Sequence, residues 1–175
     1  MAPKKKMVTA IFRNRVDSEQ AFDYLYARGY VDSDINVLMS DKTRSSFYTE
    51  DESEKHQAGT LAAEGMGVGG AIGTAVGATL AAVAAIGSSI AIPGLGLVIA
   101  GPIAAALAGG GAGAVTGGLI GALVGAGIPE QNAKAYEEAV RNGGVVIAVV
   151  PHSSEDATAI QKRFTELNGE NVCYC

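Results

Sequence analysis

The sequence predicts an α+β chain, a split β-α-β domain interrupted by a long glycine-rich apolar helical hairpin. Three observations carry that reading. Each end of the chain reads as strand, helix, strand. The stretch between, Gly65 to Ile128, holds no Asp, Glu, Lys, Arg or His, and within it glycine recurs at four-residue intervals. The 175 residues suffice for one domain, or for a small domain with an appendage.

The first half of the domain spans 7–40. "MVTAIF" is a short run rich in strand formers. In "DSEQAFDYLYARGY", Asp17 and Gln20 have capping-box spacing, Phe22, Leu25 and Tyr26 share a helix face, and Gly29 ends the helix. "INVLMS" (35–40) is a second strand. The second half, 144–175, repeats the scheme: "VVIAVV" (145–150) as a buried strand, then a helix with Ala157, Ile160, Phe164 and Leu167 at helical spacing that stops near Gly169, and "NVCYC" as a last strand. At an offset of 136 residues, Ile11, Ser18, Glu19 and Ala21 match Ile147, Ser154, Glu155 and Ala157, weak identity that falls on equivalent predicted positions. A two-stranded unit with one helix is marginal alone. Joined, the halves make four strands with two helices on one face, the ferredoxin-like arrangement. That fold names no function, but it requires the two flanks to meet in one compartment.

Residues 41–60 read as a polar, weakly ordered linker, which Phe47 and Tyr48 tack onto the domain. Residues 61–128 read as a glycine-zipper helical hairpin. Gly65, Gly69, Gly73, Gly77 and Ala81 form one ladder of small residues; Gly109, Gly113, Gly117, Gly121 and Gly125 form another. Residues four apart stack on one helix face, so each ladder is a smooth groove that lets a second helix approach closely. Beside the grooves run apolar ridges, Val68, Ile72, Val76 and Leu80 in the first and Val115, Leu119 and Leu123 in the second. A helix that is apolar all round is buried, in protein or in lipid. Segments 65–87 and 104–127 are each long enough for a bilayer core of about 30 Å. Because the flanks meet, the number of crossings is even. The tip, "SSIAIPGLGLVIAGP", is broken by Pro93, Gly94, Gly96, Gly101 and Pro102. Its apolar, uncharged character places it in lipid as a re-entrant hairpin, or inside an oligomer.

Residues 129–143 read as an amphipathic junction helix, with Pro129 at its first position, a stripe of Ala133, Tyr136 and Val140, and Gly143-Gly144 at its end. It lies at a membrane interface or covers the sheet; the pattern fits both. The net charge of −5 argues against a nucleic-acid binder. Lys4-Lys5-Lys6 reads as a solvated tail, and Glu64 complements the N-terminus of the first ladder helix. His56 and His152 read as surface histidines. Cys173 and Cys175 share a strand face; two thiols can contribute to a metal site, but no further ligand is evident, so they read as inert. No catalytic residue, metal site or cofactor site is expected, and no enzyme activity.

The stretch "IPGLGLVIAGPIAAALAGGGAGAVTGGLIGALVGAGIPEQNAKAYEEAVRNGGVVIAV" resembles a bacterial family, the general stress proteins, known in cyanobacteria as low-temperature-induced proteins. The likeness rests on the "IPG-G" tip, the glycine ladder, and "GIPE" followed by "AYEEAVRNGG" and a strand. It covers almost the whole chain and is strongest over 92–150. "NVCYC" and the acidic linker depart from the family pattern. The resemblance implies a ferredoxin-like module carrying a glycine-zipper hairpin, with expression raised under stress and no enzyme activity. The expectation is therefore a non-enzymatic, membrane-associated stress-response protein with its domain facing the cytoplasm, whose partners are its own copies and a lipid bilayer. The alternative is a cytoplasmic assembly, a large homo-oligomer that buries the hairpins.

Overall fold

The computed structural model describes residues 6–31, 33–47, 90–92, 96–104 and 112–175. In chain order the elements are β1 (Val8–Phe12), α1 (Arg15–Ala27), β2 (Ile35–Ser40), α2 (Asp41–Phe47), β3 (Ile90–Ile92), β4 (Leu97–Ala100), α3 (Ala112–Ala126), α4 (Glu130–Arg141), β5 (Val145–Val149), α5 (Ser154–Glu166) and β6 (Glu170–Tyr174). The strands form one antiparallel sheet in the order β3-β4-β2-β5-β1-β6. Strand β5 of the second half lies between β1 and β2 of the first, with Val8 opposite Val149 and Ile35 opposite Val149 on its other side. Neither half has a continuous sheet without the other.

Helices cover both faces. On one, Phe22 and Leu25 of α1 and Ile160 and Phe164 of α5 pack on Val8, Ala10, Phe12, Ile147 and Val149. The Phe12 and Phe164 rings meet edge to face, centroids 5.4 Å apart. On the other, Leu119 and Leu123 of α3 and Ala133, Tyr136 and Val140 of α4 pack on Ile11, Leu38, Ile99 and Val146. Strands buried on both faces read as continuous apolar runs, which is why "VVIAV" shows no alternation. The helix within residues 129–143 covers this second face of the sheet, with Ala139 joining the expected stripe.

Helix α1 begins at Arg15, earlier than the Asp17–Gln20 spacing predicts. Asn14 is the cap, its Oδ1 accepting the Asp17 N–H at 2.8 Å, and Asp17 serves inside the first turn. Residues 41–47, expected as linker, form α2. Ser40 Oγ accepts the Thr43 N–H at 3.0 Å, and the Asp41 N–H donates to Gly96 O at 2.7 Å. Residues 48–60 lie outside the described residues.

The largest difference concerns the expected tip. Strand β4 pairs with β2 and β3 pairs with β4, so this segment extends the domain's sheet. Leu97, Val98 and Ile99 are buried by the domain itself, which replaces the lipid or oligomer core expected for them. Their β-branched and apolar side chains suit a strand, and the open edge of β2 supplies hydrogen-bonding partners for it.

Candidate functional site

The first ladder, Gly65, Gly69, Gly73, Gly77 and Ala81, and Gly109 of the second lie outside the described residues, as do Pro93, Gly94, His56 and Glu64. Gly113, Gly117, Gly121 and Gly125 fall on α3. Of the expected 104–127 helix, residues 105–111 lie outside the described residues, and α3 is broken at Gly118, whose φ of 59° and ψ of −152° are non-helical. Glycine alone enters that backbone region at little cost, and the Gly117-Gly118 pair places it mid-helix. The C-terminal part of α3 packs on the domain through Leu119, Ala122 and Leu123, all buried. Gly125 is exposed, and a Cβ added there meets nothing within 4 Å. Here Leu119 and Leu123 of the ridge contact the domain, while Gly125 of the ladder is open. Among the described residues no helix is long and apolar enough to cross a membrane.

The remaining tip residues anchor the added hairpin. Gly96 turns the chain into β4. At Gly101, φ is +99° and an added Cβ would lie 2.2 Å from Ile35 O and 2.9 Å from Asn36 Cα, so only glycine fits. Pro102 opens a helical turn, 102–104. The wholly buried Asn36 fastens this exit: its Oδ1 accepts the Ile103 N–H at 2.7 Å, and its amide donates to Ala148 O at 3.3 Å. A buried polar group demands such partners. The polar residue within "INVLMS" was the available signal for it.

Two polar clusters were not anticipated. At one end of α5, Asp156 accepts hydrogen bonds from Arg28 Nε at 2.9 Å, from Arg28 Nη2, and from the Tyr30 hydroxyl. Tyr30 in turn accepts the His152 N–H at 3.1 Å, and its ring stacks on the His152 imidazole, 4.2 Å between centroids. Burial and the bond to Asp156 push the Tyr30 hydroxyl up to about 12. Burial works to raise the Asp156 carboxyl as well. The hydrogen bonds from Tyr30 and Arg28, with the Arg28 charge, outweigh it and hold the carboxyl below its ordinary value. His152 is exposed, as expected for a surface histidine. The cluster is a clasp between the halves; it offers no nucleophile.

The second cluster lies between β1, β6 and α4. Thr9 Oγ1 and the Tyr136 hydroxyl are 2.5 Å apart, and Tyr136 also donates to Asn171 O at 3.3 Å. Burial raises the Tyr136 hydroxyl above its ordinary value, against the bonds from Thr9 and Asn132. Cys175 Sγ lies 3.9 Å from both Thr9 Oγ1 and Asn132 Nδ2. Cys173 and Cys175, expected as free thiols, are joined by a disulfide. Their shared strand face predicted their proximity. Thr9 in "VTAIF" and Asn132 in "PEQNAKAY" gave no sign of converging on it, because the fold alone brings them together. Among the described residues no group of three or more His, Cys, Asp or Glu could hold a metal ion. No family model matches the chain, and no curated protein or solved structure is significantly similar to it.

Proposed function

We propose that this chain is a non-enzymatic stress-response protein that associates with membranes and with its own copies through its glycine-zipper segment. The observation that carries the reading is the orientation of α3. Its leucines are spent on the domain, while Gly125, on the ladder, is turned away from it and open. A smooth face of this kind accepts a second helix backbone at close range. The uncharged run 65–128 supplies the apolar sequence such an association needs. The strand order β6-β1-β5-β2, with α1 and α5 on one face, supports reading the flanks as a ferredoxin-like module that holds both ends of the run together. The resemblance to general stress proteins supports the physiological setting, and the domain is assigned to the cytoplasmic side.

A second reading, a soluble homo-oligomer burying the same segment, is favoured by one observation: Leu119 and Leu123 are covered by the protein's own α4 and sheet, with no lipid needed. Fractionation of a cell lysate, with an alkaline carbonate wash of the membrane pellet, separates the two. Retention in the washed pellet, released only by detergent, is the expected result. Recovery as a detergent-free particle of defined large mass overturns membrane association and leaves self-association standing. Gly125→Leu tests the seam itself. It leaves the domain's thermal transition in place and lowers the oligomer mass; an unchanged mass overturns the role of this ladder.

A further inference from the structure

We propose that Cys173 and Cys175 form a reversible dithiol–disulfide couple at the edge of the sheet, with Cys175 as the sulfur that carries the thiolate. The two cysteines are separated by one residue, Cys173 on edge strand β6 and Cys175 just past its end, with Cα atoms 5.7 Å apart, inside the range a disulfide bridges. Closing so short a loop removes little entropy from the unfolded chain. The bond therefore adds little to stability, and its opening leaves the fold intact. The backbone there does not depend on it: the Met7 N–H donates to Cys175 O at 2.5 Å and the Cys175 N–H to Met7 O at 3.0 Å, so Met7, just before β1, holds Cys175 in either redox state.

The two sulfurs are not equivalent. Cys175 Sγ faces the Thr9 hydroxyl and the Asn132 amide, each at 3.9 Å. Asn132 has protons to donate. Thr9 donates to the sulfur when the Tyr136 hydroxyl turns its own proton to Thr9 Oγ1 in place of Asn171 O, a rotation the 2.5 Å separation permits. Both donors favour a thiolate at Cys175. A sulfur that is the better thiolate is the better leaving group.

The partner is a dithiol of the small-molecule or thioredoxin type. Its first thiolate attacks Cys173 Sγ; the Cys173–Cys175 bond breaks and its electron pair leaves on Cys175 Sγ. The partner's second thiolate then attacks its own sulfur in the mixed disulfide and releases Cys173 as a thiolate, which takes up a proton. The partner ends as a disulfide, having lost the two electrons the cysteines gained. The reverse sequence closes the pair. The couple is independent of how the chain assembles.

The test equilibrates the full chain with varying ratios of reduced to oxidised dithiothreitol and counts free thiols by mass after alkylation. The expected result is a reversible passage between zero and two free thiols, with the thermal transition shifted by only a few degrees. Two free thiols in excess oxidised dithiothreitol, or unfolding on reduction, overturns the proposal. The assignment of Cys175 is read from the pH midpoint of iodoacetamide alkylation, which Tyr136, Lys6, Tyr174 and the Arg13–Glu170 pair also bear on as ionisable groups on or beside β6. In Cys173→Ser the midpoint of Cys175 falls below that of Cys173 in Cys175→Ser. Asn132→Ala, which leaves the sheet untouched, raises the Cys175 midpoint, and Thr9→Val raises it again. Equal midpoints in the two single-cysteine variants overturn the assignment.

Discussion

Helices α1 and α5 start in the same way. Asn14 accepts the Asp17 N–H, and Ser153 accepts the Asp156 N–H, each with an aspartate three residues after the cap. The two aspartates then part company. Asp17 pairs with its own cap, Asn14, at 2.5 Å, and among the described residues reaches the other half through the exposed Asn168 amide at 3.2 Å. Asp156 reaches across to Arg28 and to the buried Tyr30 of the first half, more than a hundred residues away in sequence. Duplicate local geometry has produced one first-turn aspartate that serves its own helix and another that also binds the two halves together. Residue identity and local structure do not set an interaction's contribution; the burial of the partner does.

The largest break in that comparison is Asp156→Ala. It keeps the Ser153 cap, which is bonded to the backbone N–H, but leaves the Tyr30 hydroxyl and Arg28 without their acceptor, costing about 2–4 kcal/mol in denaturant unfolding. Tyr30→Phe keeps the Arg28–Asp156 pair but strips one donor from Asp156 and the acceptor from the His152 N–H, and costs about 1–2 kcal/mol. Asp17→Ala costs under about 1 kcal/mol, since its partners are solvated. A measured order with Asp17→Ala first contradicts the comparison. Acid sharpens it further. The folded-state pKa of Asp156 lies below its ordinary 3.8, so its contribution is complete above that value and is lost as pH falls through the folded pKa. Between pH 4 and 2 the wild type loses more stability than Asp156→Asn does; parallel profiles would remove Asp156 from the account of acid unfolding.

Much of the sheet was readable from composition. "MVTAIF", "INVLMS" and "VVIAVV" are apolar runs of strand length, and the stripe Ala133, Tyr136 and Val140 placed α4. The strands β3 and β4 were obscured by their surroundings: Ile90, Ile92, Val98 and Ile99 carry a strand's β-branched signal, but Ala- and Gly-rich helical patterns flank them on both sides. The offset of 136 that aligns Ser18 with Ser154 also misled. The helix starts and their caps align at 139, because the turn after β5 is longer than the turn after β1. The polar clusters were illegible for a plainer reason. Tyr30 and Asp156, or Thr9 and Asn132, share no local pattern; only the closed sheet brings them within reach.

The placement of β5 between β1 and β2 sets an order of events during synthesis. A ribosome delivers β1, α1 and β2 early, yet the strand that must sit between them is encoded about a hundred residues later. Translation at roughly 5–20 residues per second leaves those two strands with open edges for several seconds. The uncharged run is made within that interval, so it emerges from the ribosome before the domain that will hold its ends has a centre. The association proposed above for this run can therefore begin before the sheet closes.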